Sequence, residues 1–172
     1  MNTIQDNVTF GAKLIYHNMP GCPNAWSRVA QRFEMLTKKY PNDSFKIEAN
    51  DKGGIYFNPI YTEKRLVSLN SYDKGEISPK ASKIIRGESG MTLTKVLVNI
   101  FTIRRKADAM LADYFKLEHK HCDEIYCNKI YPGNDIALVK FVDRAMKVRK
   151  DMTKIMLKRD NFLKDLNGIS IV

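Results

Sequence analysis

A chain of 172 residues, 44% hydrophobic and 28% charged, is long enough to bury a core without disulfide or metal staples, and its composition excludes an intrinsically disordered chain. The net charge of +10 is spread over both halves, since residues 1–90 hold 13 basic and 9 acidic side chains and residues 91–172 hold 16 and 10. An excess of this kind favours anionic partners without choosing among them.

No apolar run reaches the length of a membrane span. The first residues, Met1-Asn2-Thr3-Ile4-Gln5-Asp6, lack the basic and apolar regions of a signal peptide. Three cysteines are an odd number in a chain that does not need them. These features point to a reducing, cytoplasmic setting with free thiols, leaving an unconventional export route open.

In chain order, Val8 to His17 alternates in the manner of a strand, with Phe10, Ala12, Leu14 and Tyr16 on one side. Asn18 to Asn24 holds two prolines and a glycine and reads as a loop. Ala25 to Tyr40 is an amphipathic helix capped by Asn24, with Trp26, Val29, Ala30, Phe33 and Leu36 as its apolar stripe. Trp26, the single tryptophan, belongs to the core. Ser44 to Asn50 alternates again, Asp51-Lys52-Gly53-Gly54 is a hairpin turn, and Ile55 to Phe57 returns as a strand, extending past Pro59 as an edge. Arg65 to Leu69 reads as a third strand and Ser71 to Pro79 as a polar loop. Pro79 to Arg86 is a short helix capped by Ser78.

Two long helices follow. Leu93, Val96, Leu97, Ile100, Ile103, Ala107, Met110, Leu111, Tyr114 and Leu117 run at helical spacing behind Thr92, a plausible N-cap. Asp135 to Leu166 carries Leu138, Phe141, Ala145, Val148, Met152, Ile155, Phe162 and Leu166 in a 3-4 seam interrupted by Arg159. Roughly 32 residues at about 1.5 Å each make a rod near 48 Å. A rod of that length needs a partner for its seam, and the helix upstream supplies one across the link from His121 to Asn134. The fold class is therefore α+β: a small antiparallel sheet with one amphipathic helix, then a long antiparallel helical hairpin. Residues 1–88 form the α+β region and residues 89–172 the hairpin, which either packs back on the sheet to make one domain or projects from it as a second module.

The polar side of the last helix is lopsided. Lys140, Arg144, Lys147, Asp151, Lys154 and Lys158 step by fours and threes and share one face, five of the six basic. A solvated face that keeps a helix soluble has this look. So does a ridge that binds nucleic-acid phosphates or an acidic protein.

Helix 25–40, three strands and helix 79–86, with Lys80, Ala81 and Lys83 opening the second helix, follow an order that resembles double-stranded RNA-binding domains. The resemblance implies recognition of A-form shape and phosphates. Ile84-Ile85-Arg86-Gly87-Glu88-Ser89-Gly90 resembles the Gly-x-x-Gly loop of KH domains, but Glu88 would repel phosphate. A helix-to-helix turn using glycine for backbone freedom explains it better.

His119, His121, Cys122 and Cys127 carry the right atoms for zinc at the wrong spacing, for no Cys-x-x-Cys pair occurs. The plainer explanation is a helix C-terminus, where histidine suits the dipole, beside buried thiols. Cys22 with His17 or His119 lacks the local signature of a nucleophile and base, and no Walker or Rossmann loop is present. No cofactor is called for, and zinc at the His119–Cys127 cluster is the sole metal that the residues suggest. The sequence thus reads as a non-enzymatic binding protein that meets nucleic acid or an acidic protein through Lys140, Arg144, Lys147, Lys154 and Lys158. The competing reading is an assembly module that self-associates through the hairpin seam, where Met110, Met146, Met152 and Met156 would give an adaptable surface.

Overall fold

The computed structural model describes residues 10–63, 66, 77–126 and 135–167. Its elements in chain order are β1 (Lys13–His17), α1 (Pro23–Leu36), β2 (Ser44–Ala49), β3 (Ile55–Ile60), α2 (Pro79–Gly87), α3 (Gly90–Lys120), α4 (Cys122–Tyr126) and α5 (Asp135–Asn167). The fold is mixed α/β, with three strands in the order β1-β2-β3 and five helices among the described residues.

The sheet is mixed, not antiparallel as the sequence suggested. β1 runs parallel to β2, with Leu14 opposite Phe45 and Tyr16 opposite Ile47. Only β2 and β3 are antiparallel, with Ile47 opposite Phe57. The connection decides this. A helix between two strands gives the length for a crossover that parallel neighbours need, whereas a tight turn reverses the chain. α1 lies between β1 and β2, and the turn at Asp51–Gly54 joins β2 to β3. Gly53 takes φ 83° there, and Asn50 Oδ1 accepts from the Gly54 N–H at 2.7 Å. Pro59 falls within β3 and costs no ladder bond to a further strand, because β3 is the outer strand among the described residues.

This topology departs from that of double-stranded RNA-binding domains. A strand precedes the first helix and pairs in parallel with the strand after it. The third expected strand, 65–69, lies outside the described residues apart from Leu66, which is helical and buried.

α1 starts at Pro23 with Cys22 as N-cap, two residues ahead of the expected start, and ends at Leu36, before Pro41 could act. Proline tolerates the first turn because its missing N–H would have no partner there. Thr37 supplies the stop. Its hydroxyl donates to the Phe33 carbonyl at 2.7 Å and accepts from the Ala12 N–H at 2.9 Å, so one buried side chain ends the helix and anchors the approach to β1. Gly11 is needed beside it, for a Cβ there would lie 1.9 Å from the Glu34 carbonyl oxygen.

The core forms where α1 and α3 cover one face of the sheet. The rings of Phe33, Phe45 and Phe101 meet with centroids 5.6 to 5.7 Å apart, among Val29, Ile47, Ile55, Leu97 and Leu111. Residues from both 1–88 and 89–172 share this core. Trp26 is buried at its edge, as expected, and donates Nε1–H to the Pro20 carbonyl at 2.9 Å.

Ser78 caps α2 by accepting from the Ala81 N–H at 3.2 Å, behind Pro79 in the first turn. α3 begins at Gly90 with Ser89, not Thr92, as N-cap; the two hydroxyls lie 3.1 Å apart. Gly87 to Gly90 is the turn between α2 and α3, but neither glycine takes a positive φ, so backbone freedom is not what the turn uses. α4 was not legible in the sequence. It brings Ile125 against Val148 and Met152 of α5, with Tyr114 and Leu117 of α3 packed on them. Residues 127–134, which would join the two long helices into a hairpin, lie outside the described residues, as do residues 71–76 of the loop expected from Ser71 to Pro79.

Candidate anion-binding face of the last helix

α5 is held by its seam. Phe141, Ala145, Val148 and Met152 are buried, while Leu138, also expected on the seam, is 49% exposed. Burying that side orients the rest of the helix. Lys140, Arg144, Lys147, Lys154 and Lys158 are all exposed, and Asp151 within their row is half-buried. Among the described residues, none of these five cations lies within ion-pairing distance of a carboxylate. Lys140 and Arg144 line a shallow hollow with Ala137 and Asp143. Lys150, outside the row, is exposed as well. Arg149 is used internally, its guanidinium donating to the Ile125 carbonyl.

Behind this face lies a buried ionic cluster that the sequence reading did not assemble. Asp108 of α3 is fully buried, and both its oxygens lie 3.1 Å from Arg104 Nε. Tyr61, just past β3, donates its hydroxyl to Asp108 Oδ2 at 2.7 Å. Arg159 of α5 is 6% exposed and acts electrostatically on the same carboxylate. The interruption of the seam is thus a buried charge facing a buried charge. Burial pushes the Asp108 carboxyl above its ordinary value, against the opposing pull of Arg104 and the Tyr61 hydrogen bond. Burial, and then the Asp108 charge, raise the Tyr61 hydroxyl well above its usual range.

A second pair lies alongside. Arg105 Nε meets Asp43 Oδ2 at 2.8 Å, and its guanidinium sits 4.1 Å from the Tyr40 ring centroid. Asp43 is buried and also accepts the Thr62 N–H at 3.3 Å. The available signal was spacing: Leu97, Phe101, Arg104, Asp108 and Leu111 step by fours and threes, which puts an i,i+4 ion pair on the core side of α3.

Among the described residues, the zinc candidates His119, His121 and Cys122 do not converge on a metal site. His119 is exposed in the last turn of α3, and His121 is its C-cap, with its N–H bonded to the Leu117 carbonyl at 3.0 Å. His121 Nδ1 is 3.9 Å from Glu124 Oε2. No group of three or more His, Cys, Asp or Glu able to hold a metal ion occurs among the described residues, and Cys127 lies outside them. Cys22 is exposed at the N-cap of α1, on the rim of an apolar hollow of about 290 Å³ floored by Trp26, Val29, Ile85 and Leu93. His17 and His119, the bases considered for it, do not line that hollow.

Comparison of the chain with protein families, curated proteins and solved structures found no match. The geometry of the chain itself therefore carries the functional reading. No helix of the described residues is long and apolar enough to cross a membrane.

Proposed function

We propose that this is a non-enzymatic binding protein that presents the basic ridge of α5 to an anionic macromolecule, a nucleic-acid backbone or an acidic protein. One observation carries the reading: five cations stand exposed in a row on a helix whose adjoining seam is fastened into the core. Their charge is free to act outward, and fixed spacing on a rigid element favours a repeating array of negative charge. In this reading α3 and α5 form an antiparallel hairpin. Its support is that the contacts run in opposite senses, Ile125 meeting Arg149 while Asp108 senses Arg159.

The seam that self-association would have used is occupied within the chain, since Phe141, Ala145, Val148 and Met152 are buried. Met146 alone of the four methionines considered for an adaptable surface is strongly exposed, at 64%. The test is a titration with duplex and single-stranded nucleic acid and with polyglutamate, at two salt concentrations. Binding that weakens with salt, and weakens further when Lys140, Arg144 and Lys147 are replaced by Glu, is the expected result. Failure to bind any polyanion at low salt, or equal binding by the triple variant, overturns the proposal.

A further inference from the structure

α5 has a third face besides the seam and the ridge. Val139, Val142, Met146 and Leu157 are 59%, 44%, 64% and 59% exposed. With exposed Thr153 they follow steps of three, four, seven and four, and at about 100° per residue they stay within a window of roughly 60°. This is a second heptad-like seam, turned away from the core. It spans about 27 Å, or five helical turns.

We infer that this stripe seats an amphipathic helix of another protein whose flanks are acidic; the inference rests on the anionic-partner reading above and narrows it. Charge selects the occupant. Lys150, Lys154 and Lys147 lie along one side of the stripe with a single exposed acid, Asp143, among them, so this border is net positive and a helix laid in the stripe with Glu or Asp beside its apolar row would pair with the lysines. A second copy of this chain would instead bring like charges together along the same border. A nucleic acid would leave the aliphatic stripe in water, because no aromatic side chain stands in it for bases to stack on. A lipid surface calls for a broad apolar face, and this one is a single row wide. Side chains at 3-4 spacing match the ridge that a partner helix inserts.

The test uses the full chain and a fluorescent 21-residue helical peptide with Leu at heptad positions a and d and Glu on both flanks. Its controls are the same residues shuffled off the heptad, a DNA duplex and anionic phospholipid vesicles. The heptad peptide is expected to bind at least tenfold more tightly than the shuffled one. The exposed, charge-neutral pair Val142→Ser with Met146→Ser should lose at least tenfold. In the wild-type protein the Met146 methyl resonance should shift on titration while that of buried Met152 stays, a readout that needs no variant. Equal affinity for both peptides would overturn the inference while leaving the basic ridge as a site for polyanions. Tighter binding of the duplex or the vesicles, or a dimer of this chain that the peptide cannot dissolve, overturns it too. Failure to bind any anion removes both readings.

Discussion

The Tyr61 hydroxyl donates to Asp108 Oδ2 at 2.7 Å, joining the segment after the edge strand to the middle of α3 in a fully buried setting. Asp108 also meets Arg104, and Arg159 of α5 acts on it, so this carboxylate balances charge where three parts of the chain converge. Its removal strands buried cations. Asp108→Asn should cost about 3–5 kcal/mol of stability, as breaking a buried ion pair does. Tyr61→Phe should cost less, about 1.5–3 kcal/mol, the size of one hydrogen bond to a charged group. Urea unfolding followed by Trp26 fluorescence measures both. Equal losses from the two substitutions would show that Asp108 does not hold the cluster's charge.

The same contact sets an alkaline limit. Burial and the neighbouring Asp108 charge raise the Tyr61 pKa above its ordinary 10.0. Between those two values the folded protein keeps a proton that the unfolded chain has released, so stability falls as pH rises past about 10. Tyr61→Phe has no such proton. The difference in unfolding free energy between the two proteins should therefore shrink from pH 8 to pH 11, and a constant difference refutes the assignment.

Arg105 bonds Asp43 at 2.8 Å, reaches Glu63 at 3.6 Å and lies over the Tyr40 ring at 4.1 Å. A lysine keeps the charge but has neither the fork nor the flat face. Arg105→Lys should lose about 1 kcal/mol. Arg105→Ala should lose more, about 2–3 kcal/mol, held below the fully buried figure because Arg105 is 21% exposed. Chemical denaturation distinguishes the two, and an equal loss would mean that only the charge matters.

Gly11 lies where the chain passes the C-terminal end of α1, with room for no Cβ. The atom an alanine would strike is a backbone carbonyl, which cannot swing aside as a side chain can. Gly11→Ala should destabilise by about 1–3 kcal/mol, the usual range for overpacking. Thermal unfolding of the variant checks this, and an unchanged midpoint would show that the approach of β1 to α1 can open without cost.

Salt dependence counts the cations that meet a nucleic-acid backbone. If Lys147, Lys154 and Lys158 each neutralise a phosphate, replacing all three by Gln should reduce the slope of log K against log salt by about 2.7 for duplex and about 2.1 for a single strand. A lower affinity with an unchanged slope would place the contacts elsewhere. Neutral replacement avoids the repulsion that Glu would add, so the slope reports lost contacts alone.

The order of the elements other than α4, the turn at Asp51–Gly54, the Ser78 cap and the bounds of α5 could be read from local pattern, because alternation, helical spacing, caps and glycines act over a few residues. The five cations of the ridge were legible for the same reason: a helix's period alone puts them on one face. Other features needed the folded chain. Thr37 rather than Pro41 ends α1, because its hydroxyl finds Ala12, 25 residues away. The parallel pairing of β1 with β2 followed from which strands became neighbours, which alternation within each strand does not encode. Arg159 read as a flaw in a seam until Asp108, from another helix, stood near it. Spacing along a chain specifies faces, but which faces meet, and whether a charge among them is paired or wasted, depends on contacts between residues far apart in sequence. Only tertiary structure decides those.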